Sequence, residues 1–342
     1  MRNRRNIRGR QSNTERKKRM FSVFLLILSI VALTGGTYAW FTNNKSISND
    51  DIAIGVKPGS VLKISTDATP NSWKESVTLS DIINADYSYG VTRYNNYPTM
   101  YKPVSSAGYV NNNGFGEFFL GHISKKLTGG YKIAAEAVTE SDGSDGYLLS
   151  FDLYFKTGSN QVLKLDAKNS SVRYKHQDSD RNITEGIENS IRMAFIYQGS
   201  ISDDSNVHNT QAIHGDSTSS IKVWEPNDDT HNATAIAAAK EFYNLTIHDG
   251  DVVQYEGVKA AIPENFEIPL GVANSTYFES LGTKLISTHK TNAGEINLFN
   301  INDGVSKVRV YLWVEGQDVD CENEVSGTSF EIDLVFNSEN VI

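Results

Sequence analysis

The chain has 342 residues, 39% of them hydrophobic and 10% aromatic, enough apolar material for the core of one large domain or two ordinary ones. The formal charge of −9 hides an asymmetry: residues 1–19 hold nine basic groups and one acid, and the remainder holds 23 basic against 40 acidic groups, a net of −17. So acidic a body repels nucleic acid and anionic lipid, so neither is expected as a partner. Cys321 is the single cysteine, which excludes an intrachain disulfide. A half-buried small side chain is the expected role for it, with an intermolecular bridge as the alternative.

The basic cluster Arg16 to Arg19 stands directly before an uncharged run, Met20 to Leu33. That is the charge order of a leader whose N-terminus stays inside. The run has the length of a signal-peptide hydrophobic region and falls short of the ~20 residues a spanning helix prefers. Gly35-Gly36 breaks it, and Thr37 and Ala39 place small side chains at −3 and −1. The reading is a signal peptide over 1–39 (basic region 1–19, hydrophobic region 20–34), cut between Ala39 and Trp40, followed by one secreted domain over 40–342. The alternative is an uncleaved anchor holding an ectodomain on the membrane. Arg4-Arg5 lacks the apolar motif of a twin-arginine signal, and the arrangement of a pilin leader is missing.

Gly35-Gly36-Thr37-Tyr38-Ala39-Trp40-Phe41, followed by Thr42-Asn43-Asn44-Lys45-Ser46, resembles the leader junction of the TasA/camelysin family of Gram-positive surface proteins; Val56-Lys57-Pro58-Gly59 is similar too. The resemblance implies processing by a SipW-type signal peptidase and a jelly-roll body. It also implies assembly into extracellular fibres of a biofilm matrix through an N-terminal donor strand. On this reading Trp40 to Ile54 is the donor segment; the alternative is an ordinary first strand in the chain's own sheet. The long basic leader and large body depart from the commonest form of the family.

Along the mature chain, Ile47, Ile52, Ile54 and Val56, then Val61, Leu62 and Ile64, predict two short strands split by the Lys57-Pro58-Gly59 turn. Residues 67–130 read as mostly irregular, with a brief strand or helical turn at Ser76 to Ile83. Tyr87, Tyr89, Tyr94, Tyr97 and Tyr101, with Asn95-Asn96, form a loop tract suited to stacking on sugars or to packing against itself. Ile133 to Ala137 alternates, as does Tyr147 to Lys156, which sets Leu149, Phe151, Leu153 and Phe155 against a face read as wet, with Asp152 and Lys156 on it. Val162 to Leu165, Ser190 to Tyr197 (a central strand), Ile221 to Trp224, Val305 to Glu315 and Ser329 to Phe336 complete the strong strands. Asn232 is placed to cap a helix from Ala233 to about Tyr243. The pattern predicts an all-β, jelly-roll-like antiparallel sandwich, with one short helix and insertions around 84–130 and 198–290.

Chemistry is harder to find. H-E-x-x-H, G-x-S-x-G, P-loop and dinucleotide motifs are absent, and the seven histidines never fall at i, i+4 on a helix. No catalytic residue and no cofactor is expected. Calcium is the candidate ion, at Asp142 and Asp145 and at Asp318, Asp320 and Glu322, where oxygen ligands recur on loops; solvated turns are the alternative. Asp203-Asp204 and Asp228-Asp229 read as ordinary acidic loops. Trp224 to Asn227 with His231 reads as a core anchor beside a helix cap, with a ligand site as the alternative. No L-P-x-T-G sorting signal occurs, so sortase attachment is not expected. The sequence therefore points to a secreted structural protein, a homo-oligomeric fibre subunit or accessory. A surface adhesin binding glycans is the alternative, and a secreted hydrolase, metalloprotease included, a further one.

Overall fold

The computed structural model describes residues 48–87, 95–98, 101–126, 129, 131–139, 146–174, 186–202, 206–243, 245–266, 268–269, 275–289, 294–321 and 329–341. The leader, its cleavage residues Thr37, Ala39 and Trp40, and the segment up to residue 47 lie outside them, as do Tyr89, Tyr94, Asp142, Asp145, Asp203, Asp204 and Glu322. Among the described residues no helix is long and apolar enough to cross a membrane.

In chain order the strands are β1 (Ser48–Val56), β2 (Lys63–Ser65), β3 (Ser76–Thr78), β4 (Phe118–Lys125), β5 (Tyr131–Val138), β6 (Leu149–Thr157), β7 (Gln161–Asp166), β8 (Ser171–Tyr174) and β9 (Ile191–Ile201). They continue with β10 (Ile221–Pro226), β11 (Glu256–Val258), β12 (Ile268–Pro269), β13 (Phe278–Ser280), β14 (Leu285–Thr288), β15 (Glu295–Ile301), β16 (Gly304–Val314) and β17 (Ser329–Asn340). Four short helices, α1 (Leu79–Ile83), α2 (Ile187–Ser190), α3 (Val207–Gln211) and α4 (Ala233–Tyr243), lie between them.

The fold is an all-β sandwich. One sheet runs β15-β7-β17-β1-β3 with β8 also on β17; the other runs β14-β10-β9-β16-β6-β2. Period-two patterning is the cause. Ile52 and Ile54 of β1, Leu163 and Leu165 of β7, and Ile332, Leu334 and Phe336 of β17 face Phe151, Phe155, Phe195, Val310 and Leu312 across one core. Phe336 is its pivot, with ring centroids 5.1 Å from Phe155 and 5.8 Å from Phe195. Cys321 is buried in the same core. Two pairings depart from the antiparallel expectation: β1 runs parallel to β17, and β10 parallel to β14.

The second sheet is buried on both faces. Its outer face carries Ala194, Ile196, Tyr311 and Trp313 against Val104, Phe118, Tyr255 and Leu281, supplied by the insertions. Phe118 stacks on Tyr311 and Trp313 at 5.1 and 5.2 Å. The face of β6 read as wet is thus a second interior: Asp152 is 0% exposed. The described part of the Tyr/Asn tract packs inward as well. Tyr101 is fully buried, Asn96 bridges Ser150 of β6, and Asn95 accepts a hydrogen bond from Arg309 at 2.7 Å. In the insertion that begins near residue 198, Gln198 and Gln211 also turn inward.

β4 and β5 form a hairpin with β12 alongside, and β11 and β13 pair beside it. β11 approaches the main-chain segment 105–107 so closely that a Cβ on Gly257 would stand 2.1 Å from the Ser106 carbonyl oxygen. Gly257→Ala is accordingly expected to destabilise by about 1–3 kcal/mol, as forced overpacking does, read as a fall in urea midpoint. A change within about 0.3 kcal/mol would show that the insertion sits farther from the sheet.

Candidate functional site

Two buried ion networks and one half-open cluster hold the charged chemistry. In the first network β6 and β16 pair in register, Arg309 opposite Asp152 and Lys307 opposite Tyr154. Lys307 Nζ lies 2.9 Å from Asp152 Oδ2 and donates to the Gln211 carbonyl at 2.8 Å; Arg309 Nη1 lies 3.2 Å from Asp152 Oδ1. Gln211 in turn donates to the carbonyls of Asp67 and Asp86, tying α3 to the segment before the tyrosine tract. Burial raises the Tyr97 hydroxyl to about 12 and also raises Tyr87, beside the charges of Asp152 and Arg309. The tyrosines at 87, 97 and 101 pack inward on this network or on the core, not outward to a sugar.

The second network surrounds Arg192, fully buried on β9. Its guanidinium ion-pairs with Glu225 of β10 and with Asp318, and lies 5.1 Å from the centre of the Tyr255 ring. Burial opposes the guanidinium charge, but those carboxylates outweigh it and raise its pKa. Burial raises Glu225, and raises Glu315 to about 7 although Trp313 Nε1 and the Gln317 amide both donate to it at 3.0 Å. Next door, His231 Nδ1 sits 2.7 Å from Asp320 Oδ2 and Nε2 3.0 Å from the Asp251 carbonyl. Burial disfavours the imidazolium, yet Asp320 overrides this and raises His231 to about 9.

The loop read as a calcium site is therefore built differently. Asp318 and Asp320 do come together, the Asp320 amide donating to Asp318 Oδ1 at 2.8 Å. Their carboxylates turn inward, Asp318 to Arg192 and Asp320 through Oδ2 to His231. His231 resembles a catalytic dyad member in its Asp320 contact, but its other ring nitrogen is held by the Asp251 main-chain carbonyl. These groups pin loops together.

The third cluster is Asp228, Asp229 and His289, whose ligand atoms all lie within 4.8 Å of one another. Parallel pairing makes it: Pro226 and Thr288 stand opposite at the ends of β10 and β14, so the next residues leave both strands side by side. Asn227 takes a left-handed turn at φ 56°, a conformation its short amide tolerates, and this tucks Asp228 under the sheet end. Asp228, expected in a solvated loop, is buried, and its Oδ1 meets His289 Nδ1 at 2.7 Å. Some sixty residues separate the two in sequence, so no local motif announced the cluster. Elsewhere, a cleft of about 480 Å³ at the ends of β7 and β17 is lined by Ser60, Ser159, Gln161, Asn337 and Asn340 among others, without a titratable side chain.

No protein-family model, curated protein or solved structure matches this chain. The fold and the site define an all-β sandwich protein with a doubly buried sheet and internally neutralised charges.

Proposed function

We propose that the chain is a secreted structural protein of the cell surface, a jelly-roll-like subunit of an extracellular fibre in which neighbours exchange their first strand. The observation that supports this is the placement of β1. It is the first described element, the leader junction ends just before it, and it lies between β17 and β3 in the first sheet, pairing with β17 from Ser48 to Val56. Ile52 and Ile54 are both 0% exposed, so the strand fills a slot in the core, and the Lys57-Pro58-Gly59 turn follows it. A neighbour's copy of the same strand would make the same contacts, so exchange converts an internal interface into a joint at little cost in contact energy. Processing by a SipW-type peptidase at Ala39 would free the segment leading into it.

The test is complementation. A chain lacking residues 40–56 loses two buried isoleucines and is expected to be destabilised by about 3–6 kcal/mol. A synthetic peptide of residues 40–56 is expected to restore its melting temperature, and electron microscopy of the exported protein, beginning at Trp40, to show fibres. A strictly monomeric exported protein, or a truncated chain indifferent to the peptide, would sink the reading.

A further inference from the structure

We propose that Asp228, Asp229 and His289 form a binding site for a divalent transition-metal ion of the zinc type. The proposal does not rest on the fibre reading. Its first ground is the donor set: two carboxylates and one imidazole converge within 4.8 Å, supplied by the adjoining ends of two parallel strands rather than by one acidic loop. Ligands at the tetrahedral angle around an ion about 2.1 Å away stand roughly 3.4 Å apart, so the 2.7 Å between Asp228 Oδ1 and His289 Nδ1 must open by about 0.7 Å to admit one.

The second ground is the state of Asp228. Its side chain is 1% exposed, and its Oδ1 meets His289 Nδ1 at 2.7 Å. A buried carboxylate without a full cationic partner is costly. Among the described residues, the basic group paired with it is the His289 imidazole, itself half exposed. The Arg192 guanidinium is held by Glu225 and Asp318, and the charge of Asp228 adds to the field that raises Glu225. A divalent ion supplies the missing positive charge. Asp228 then holds it from below, while the partly exposed Asp229 and His289 close two further positions and leave a coordination place for water.

The ligand set selects the ion. Calcium takes six to eight oxygens and disfavours imidazole, whereas two carboxylates, one imidazole and a water are an ordinary zinc sphere, also within reach of manganese or cobalt. The histidine has an assigned role: it is the group that discriminates zinc from calcium.

The experiment is equilibrium dialysis of the chelator-treated full chain against zinc, with metal counted by mass spectrometry and cobalt(II) as a spectroscopic probe. One ion per chain is expected, with cobalt giving the intense visible bands of a four-coordinate site and calcium binding far more weakly. His289→Ala, at an exposed position that leaves the core intact, and Asp228→Asn are each expected to weaken zinc roughly tenfold or more. Absence of stoichiometric zinc at micromolar free ion overturns the proposal. So does zinc retained with unchanged affinity in both variants, which would place the ion on other histidines such as His208, His214 or His248.

Discussion

Asp152→Ala is expected to lower the unfolding free energy by about 3–5 kcal/mol, the cost of removing from a buried ion network the carboxylate that two cations share. Asp152, Lys307 and Arg309 are each 0% exposed, and Asp152 is the carboxylate that both cations share. Without it, an ammonium and a guanidinium lie side by side in an interior from which water is excluded. Hydrogen bonds from Lys307 to Gln211 and from Arg309 to Asn95 and Ser150 orient the cations but carry no charge. Asp152→Asn keeps the shape and is expected to cost nearly as much, which separates charge from packing. The triple replacement Asp152→Leu, Lys307→Met, Arg309→Leu is expected to recover most of the loss, because an intact buried ion network contributes little net stability over apolar groups of similar volume. Urea denaturation followed by tryptophan fluorescence reads all three. A loss under about 1 kcal/mol for Asp152→Ala would mean that water reaches this face of the sheet.

That network also marks the limit of what patterning reveals. Alternation in Tyr147 to Lys156 identified β6 and the residues facing the main core. It could not tell solvent from a second interior built of ion pairs, because both demand polar side chains at every other position. The Asn232 cap was legible, since a capping side chain acts on its own helix: its Oδ1 accepts from the Ala235 amide at 2.7 Å. β15 was not foreseen, and its register gives the reason. A shift between Asn297 and Phe299 brings Leu298 and Phe299 inward together, which erases the period of two. β4 was hidden in a tract whose composition is that of loops. For the charged sites the obstacle is distance along the chain. The i, i+2 spacing of Asp318 and Asp320 looked like loop ligands, but their partners Arg192 and His231 lie far away in sequence, and only the sheet brings them together.

Stability is expected to fall as pH rises from about 5 towards 10, and buried groups whose pKa is raised set the slope: Glu315 and His231 foremost, with Asp320 and Glu225, which burial also raises, adding to it. Glu315 is raised by burial from 4.5 to about 7, so folding takes up a proton between those values. The stability this contributes is fully present below about 4.5 and is lost as pH rises through 7, on the order of 3 kcal/mol for so large a shift. His231 has the same sign. Burial opposes its charge, but Asp320 holds it at about 9 against 6.5 in the unfolded chain, so its contribution is fully present below 6.5 and disappears as pH rises through 9. Groups of the opposite kind set the acid limb: Asp67, Asp81 and Glu295 are lowered by their hydrogen bonds and lysine neighbours against the pull of burial, and their contribution vanishes as pH falls below the carboxylate range. The maximum therefore lies near pH 4.5 to 5, roughly where the acid limb ends and the Glu315 decline begins. Glu315→Gln is expected to flatten part of the decline between 4.5 and 7, where Asp320 and Glu225 also contribute, and His231→Gln the decline between 6.5 and 9. A urea midpoint that is constant or rises from pH 5 to pH 9 would refute both assignments. If only one variant flattens its window, the group that failed is solvated in the native state, and the loops it joins, 315–320 for Glu315 or 228–232 with 249–251 for His231, open to water at that point.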